Sequence, residues 1–167
     1  MLPGYLWSQY EAKIDSLHTA ISIAMYSNPE HTEKMIQEAM LLSEDSKDEL
    51  WVAYTLLFFS KYNDEIIGDY ETSLTALKKA DSIFREFGGA KDIKALGAIE
   101  HNYGAYDHRH GNYAGAIEHY LNAIAILDTV SNKIVITLSY NNVAELYSSL
   151  KDYAKAEKYA RECLKLA

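Results

Sequence analysis

The sequence predicts an all-α fold of four stacked helical hairpins. Three observations carry that prediction. A short turn motif recurs as Gly68-Asp69-Tyr70, Gly111-Asn112-Tyr113 and Lys151-Asp152-Tyr153. Each copy leads to a small residue ten positions after its Tyr: Ala80, Ala123 and Cys163. A degenerate fourth copy, Tyr26-Ser27-Asn28-Pro29-Glu30, leads to Ala39, so the small residues are spaced by 41, 43 and 40. A fixed period of this length marks a repeat architecture. Downstream of each turn, apolar residues recur at three and four positions, as in Ala116, Tyr120, Ala123, Ile124 and Leu127, which is one face of a helix.

The elements follow in order. Asn28, Asp69, Asn112 and Asp152 are good helix N-caps, and Pro29 suits a first helical turn. They open helices expected at 29–44, 69–87, 112–130 and 152–166. A second helix precedes each turn, at 8–26, 48–63, 91–109 and 132–149. The run Ile134-Val135-Ile136 is β-branched but continues into a helical pattern, so it is read as helix.

These residues resemble the tetratricopeptide repeat, a helix–turn–helix unit. In the third unit Tyr103-Gly104 takes the Leu-Gly place, followed by the turn at Gly111-Asn112-Tyr113 and by Ala116, Tyr120 and Ala123. In the fourth, Tyr140, Val143, Ala144 and Tyr147 match the first helix, and Lys151-Asp152-Tyr153, Ala156, Ala160 and Cys163 the second. The second unit fits with one extra residue before Gly68. Asp107 stands where the third unit should have Tyr. The resemblance implies a right-handed α-solenoid of about four repeats over 8–167, with units at about 8–46, 47–90, 91–131 and 132–167 and a tail at 1–7. Small residues at Gly104, Ala144 and Ser60 are expected where the two helices of a unit cross closely. The turn and helix tyrosines Tyr70, Tyr113, Tyr120, Tyr140, Tyr147 and Tyr153 are expected as core aromatics, and Cys163 as a buried, inert packing residue.

Composition narrows the function. With 16 basic and 24 acidic residues the net charge is −8, which argues against a general nucleic-acid or anionic-membrane binder. Residues 1–84 hold 6 basic and 14 acidic groups, whereas 85–167 hold 10 of each. One cysteine excludes an internal disulfide and a cysteine zinc site. There is no Gly-rich phosphate loop, H-E-x-x-H or nucleophile elbow. The chain is therefore read as a non-enzyme without a cofactor or metal. No span is apolar enough to cross a membrane. The compartment stays open, with the cytoplasm favoured and the periplasm an alternative for a membrane-anchored sensor.

The resemblance also implies where a ligand would bind. First helices of such units line a concave groove. In the third unit this groove takes His101, Asn102, His108 and Arg109, with Ala98 and Ala105. In the fourth it takes Asn141, Asn142 and Glu145, with Leu138 and Ser148. Asparagine offers both donor and acceptor to an extended peptide backbone, so Asn102, Asn141 and Asn142 are read as backbone contacts. The alternative is that Asn102 and Asn142 tie their own helices to neighbours. Histidines at 101, 108, 110 and 119 read as groove face and solvated turn, because His101 and His108 are about 10 Å apart along a helix.

The expected function is a protein- or peptide-binding module, the sensor or scaffold segment of a larger bacterial regulatory protein. The alternative is a structural self-association module with no groove ligand. The chain stops at the end of a second helix, so its last hairpin is expected to expose apolar surface, drawn from Val135, Leu138, Val143, Leu146, Tyr159, Leu164 or Leu166. That exposure would fit either excision from a longer protein or homodimerisation through this end.

Overall fold

A computed structural model describes residues 4–128 and 132–166, with side chains from residue 9 onward. Among the described residues there are eight α-helices and no strand. They are α1 (Gly4–Ala24), α2 (Pro29–Ser46), α3 (Glu49–Tyr62), α4 (Tyr70–Phe87), α5 (Ile93–Arg109), α6 (Tyr113–Asp128), α7 (Lys133–Ser149) and α8 (Tyr153–Leu166). The β-branched run at 134–136 is helical, within α7. Residues 4–7, expected as part of a tail, are helical in α1, and residues 129 and 130 of the expected sixth helix lie outside the described residues.

The recurring turns work as helix punctuation. Asn28 accepts from the His31 N–H, Asp69 from Thr72, Asn112 from Gly115 and Asp152 from Lys155. Each satisfies one of the orphan donors of a helix start. The Thr72 hydroxyl and N–H hold the Asp69 carboxyl below its ordinary range. The residue before each of the last three caps is left-handed: Gly68 (φ 77), Gly111 (φ 76) and Lys151 (φ 62). In unit three the Asn112 N–H reaches Asp107 O and the Gly111 N–H reaches His108 O. In unit four the Asp152 N–H reaches Tyr147 O and the Lys151 N–H reaches Ser148 O. Both are the paired bonds of a Schellman motif.

The second turn is different, and the difference accounts for the extra residue before Gly68. Asn63–Ile67 forms a π-helical turn, and the Asp69 N–H bonds Asn63 O, one residue further back than in the other two turns. One residue of insertion is absorbed as one wide turn.

The chain divides into two compact units, residues 1–88 and 89–167. The first holds α1 to α4, packed consecutively. One cluster of its core joins Ile21, Met25, Met35, Ile36, Ala39 and Tyr62, and Leu77, Ala80 and Phe84 are buried on α4. Ser60 is buried against Ser73, hydroxyl to hydroxyl at 3.0 Å, where α3 crosses α4.

In the second unit, a Cβ on Gly97 would overlap the Leu127 side chain, and one on Gly104 would lie 2.8 Å from the Tyr120 ring. The α5–α6 hairpin is thus antiparallel and close over two helical turns. Leu127 then clusters with Ile136, and Tyr120 with Val143 and Leu146. So α7 runs antiparallel to α6 and parallel to α5. Ala144 is half-buried rather than enclosed, so its small size is under less constraint than that of Gly104.

Candidate functional site

The pairings just described set a register between α5 and α7. A hydrogen bond between His101 Nδ1 and Ser139 Oγ, 2.8 Å long, ties the two helices at mid-length. At this register Asn102 lies level with Asn141, and Lys94 with Lys133. Both helices leave one stripe partly or fully open to solvent. On α5 it carries Lys94, Ala98, Asn102, Ala105 and Arg109, and on α7 Ile134, Leu138, Asn141, Glu145 and Ser148. The spacings of three and four keep each stripe on one face.

The expected groove residues separate into two groups. Asn102 and Asn142 are half-buried and Asn141 and Glu145 exposed. Among the described residues, none of these four side chains has a hydrogen bond or ion pair within the chain. The alternative that Asn102 and Asn142 tie their helices together finds no bond of that kind. His101, in contrast, is engaged twice. It bonds Ser139 and its ring lies 5.2 Å from that of Tyr120. His108 meets Tyr113 edge-on at 5.9 Å. Arg109 is exposed and already has a partner within the protein.

The other histidines are taken up singly. His110 stacks on Tyr106 at 4.0 Å and contacts its carbonyl. His119 places Nδ1 2.8 Å from Glu100 Oε2 and Nε2 3.8 Å from Asp107 Oδ2, with the Tyr103 ring beside it. Asp107, the residue in place of the repeat's Tyr, therefore trades an aromatic packing contact for a polar one. Among the described residues no group of three or more His, Cys, Asp or Glu is arranged to hold a metal ion. No described helix is long and apolar enough to cross a membrane.

Three expectations about packing need correction. Tyr70, Tyr113 and Tyr153 are exposed, not core. Each is the first residue of its helix, at the outer end of a hairpin. Tyr120 is fully buried, whereas Tyr140 and Tyr147 are half-buried. Cys163 is also half-buried, its thiol 3.6 Å from Thr137 O. Of the apolar residues considered for exposure on the last hairpin, Leu138 and Leu164 are exposed, Val143 and Leu146 fully buried, and Val135, Tyr159 and Leu166 half-buried.

Sequence reasoning missed a buried polar cluster in the first unit. His18 Nε2 lies 2.8 Å from Thr55 Oγ1, which is 2.9 Å from Ser43 Oγ. Three helices meet there, with Trp51 and Phe58 against the imidazole. Burial pushes the His18 pKa down to about 4, opposed by the nearby Asp15 carboxylate. The signal was available: His18 falls in the apolar series Ile14, His18, Ile21, Met25, whose other members are all buried.

Comparison with known proteins fits this geometry. A family profile described as tetratricopeptide repeat matches residues 95–167. Over these residues the chain is similar to tetratricopeptide repeats. The match covers the hairpins in which Gly104 and the two Schellman turns were found. No curated protein matches the chain in sequence. Among solved structures, a signal transduction ATPase with numerous domains from Pyrococcus horikoshii, described as having a tetratricopeptide repeat sensor, superposes with a TM-score of 0.70 at 21% identity. The alignment covers 92% of this chain and 23% of that one, so the chain spans under a quarter of that protein's length. At this identity the likeness is one of fold, and the fold class is the all-α repeat solenoid. Tetratricopeptide repeats are protein–protein interaction modules and a non-catalytic fold.

Proposed function

We propose that this chain is a non-enzymatic peptide- or protein-binding module whose ligand lies on the α5/α7 face, and that it serves as a sensor or scaffold segment of a larger regulatory protein. The observation that supports the binding face is the level pair Asn102 and Asn141, joined by Asn142. All three amides are at least partly open to solvent and have no hydrogen bond within the chain. An extended peptide presents alternating N–H and C=O groups, which such amides match on both sides. The regulatory role rests on the described sensor of the structural neighbour and is a matter of fold likeness.

Selection from a displayed library of short random peptides tests the reading. Selected peptides should bind the wild type and lose about tenfold or more in affinity to the Asn102→Ala, Asn141→Ala double variant, with an unchanged melting temperature. Peptides whose exchange protection maps to α6 and α8 would sink it.

A second reading, self-association, is favoured by one feature. On α8 the residues Tyr153, Ala160 and Leu164 share a stripe, and all are exposed, Leu164 by 75%. Apolar exposure of this kind commonly marks an interface. Light scattering across a concentration series, repeated with Leu164→Lys, distinguishes a dimer through α8 from a monomer.

A further inference from the structure

We infer that one end of the α5/α7 face is an anchor subsite for a peptide that carries a large aliphatic side chain next to acidic residues. The inference rests on the binding-face reading above and specifies its ligand. At the N-terminal ends of the two helices, Ile134 is 75% exposed and Leu138 50%. They are successive positions of the α7 stripe that continues into Asn141. The apolar and backbone-reading parts of the face are therefore contiguous on one helix. A large side chain left this open gains free energy when a partner covers it.

Two lysines stand beside this pair. Lys133 adjoins Ile134, and the α5/α7 register sets Lys94 level with it. Both are exposed, and among the described residues neither ammonium has an ion pair or a hydrogen bond. Three carboxylates belong to the same end of the unit, and one of them, Glu162 on α8, is paired with Lys165. Asp92 is buried and accepts from the Gly89 N–H. Asp128 closes α6, in the other layer of the hairpins. Some other lysines are paired with neighbouring acids, as in Lys13–Glu38 and Lys34–Glu30. Two unpaired cations flanking an exposed aliphatic pair complement a partner that is aliphatic and acidic. A basic partner would be repelled, so the lysines also supply discrimination.

Three labelled short peptides with identical polar flanks test this by fluorescence anisotropy. Their centres are Glu-Leu-Glu-Leu, Lys-Leu-Lys-Leu and Glu-Ser-Glu-Ser. The Glu-Leu peptide should bind about tenfold or more tightly than the other two. Lys94→Glu with Lys133→Glu should invert the preference toward the Lys-Leu peptide. Ile134→Ser with Leu138→Ser should bring the Glu-Leu peptide down to the Glu-Ser level. All four side chains are exposed, and thermal melts check that the variants fold. Equal binding of the acidic and basic peptides, no binding by any of the three, or a charge-reversed variant that keeps the wild-type preference would each overturn the anchor. If library-selected peptides need Asn102 and Asn141 but tolerate the lysine and aliphatic variants, the anchor is refuted while the binding face stands.

Discussion

The ring of Tyr120 occupies the space that a side chain on Gly104 would need: a Cβ there would lie 2.8 Å from the ring carbons. Tyr120 is itself almost wholly buried, against Val143 and Leu146, so it has nowhere to retreat. Gly104→Leu should therefore destabilise the compact unit of residues 89–167 by about 1–3 kcal/mol or more through overpacking. Even Gly104→Ala should fail to gain the ~1 kcal/mol that alanine normally adds in a helix interior. Ala144→Leu, at a half-buried site, should cost less than Gly104→Leu. Urea melts giving the reverse order would contradict the packing described.

Acid should weaken the first unit through His18. Its imidazole is docked neutral against Trp51, Phe58 and Thr55, with a pKa of about 4 against an ordinary 6.5. The unfolded chain therefore binds a proton that the folded one refuses. The sign follows: this contribution is complete above pH 6.5, falls as the pH drops toward 4, and is flat below. The full difference corresponds to about 3 kcal/mol. Comparing melts at pH 7.5 and 4.5, His18→Gln should show a smaller acid loss than the wild type. An unchanged acid loss would remove His18 from the account.

Lys151 stands in the left-handed conformation that glycine fills in the two preceding turns. A side chain there costs roughly 1–2 kcal/mol, partly offset by the greater chain entropy that glycine gives up. Lys151→Gly should stabilise the last hairpin by about 0.5–1 kcal/mol. A lower melting temperature for this variant would show that the lysine side chain contributes more than its backbone costs.

His119 shields a buried carboxylate. Replacing it with leucine takes one hydrogen-bonding partner from Glu100. The expected loss is about 1–3 kcal/mol. Adding Glu100→Gln, which removes the charge left behind, should recover part of it. A double-mutant cycle with no coupling between the two positions would count against the pairing.

Much of the fold was legible because the turn chemistry is local. The residues Asp69, Asn112 and Asp152 announce their helices by what one side chain can do for a backbone N–H three residues on. The floor of the α5/α7 face was legible for the same reason, since helical spacing alone puts Leu138, Asn141 and Glu145 on one stripe. Long-range partners were harder to read. Nothing near Gly97 in sequence announces Leu127, and nothing near His18 announces Thr55 and Ser43. Tyrosine is a poor guide to burial because its ring suits the core and its hydroxyl suits water. Hence Tyr120 is enclosed while Tyr113, seven residues earlier on the same helix, is open. His101 was placed on the face by spacing, but Ser139 and Tyr120 claim it.

The wide turn at Asn63–Ile67 keeps length separate from orientation. One more residue in an ordinary α-helix would rotate everything beyond it by about 100° and present a different side of the next helix to its neighbours. Here the surplus is spent within a single turn. Gly68 still enters the left-handed conformation, Asp69 still caps, and α4 still seats Ser73 against Ser60. A repeat built this way can lengthen at its hairpin end without losing its angular phase, so the hairpin can drift in size while its buried face stays the same.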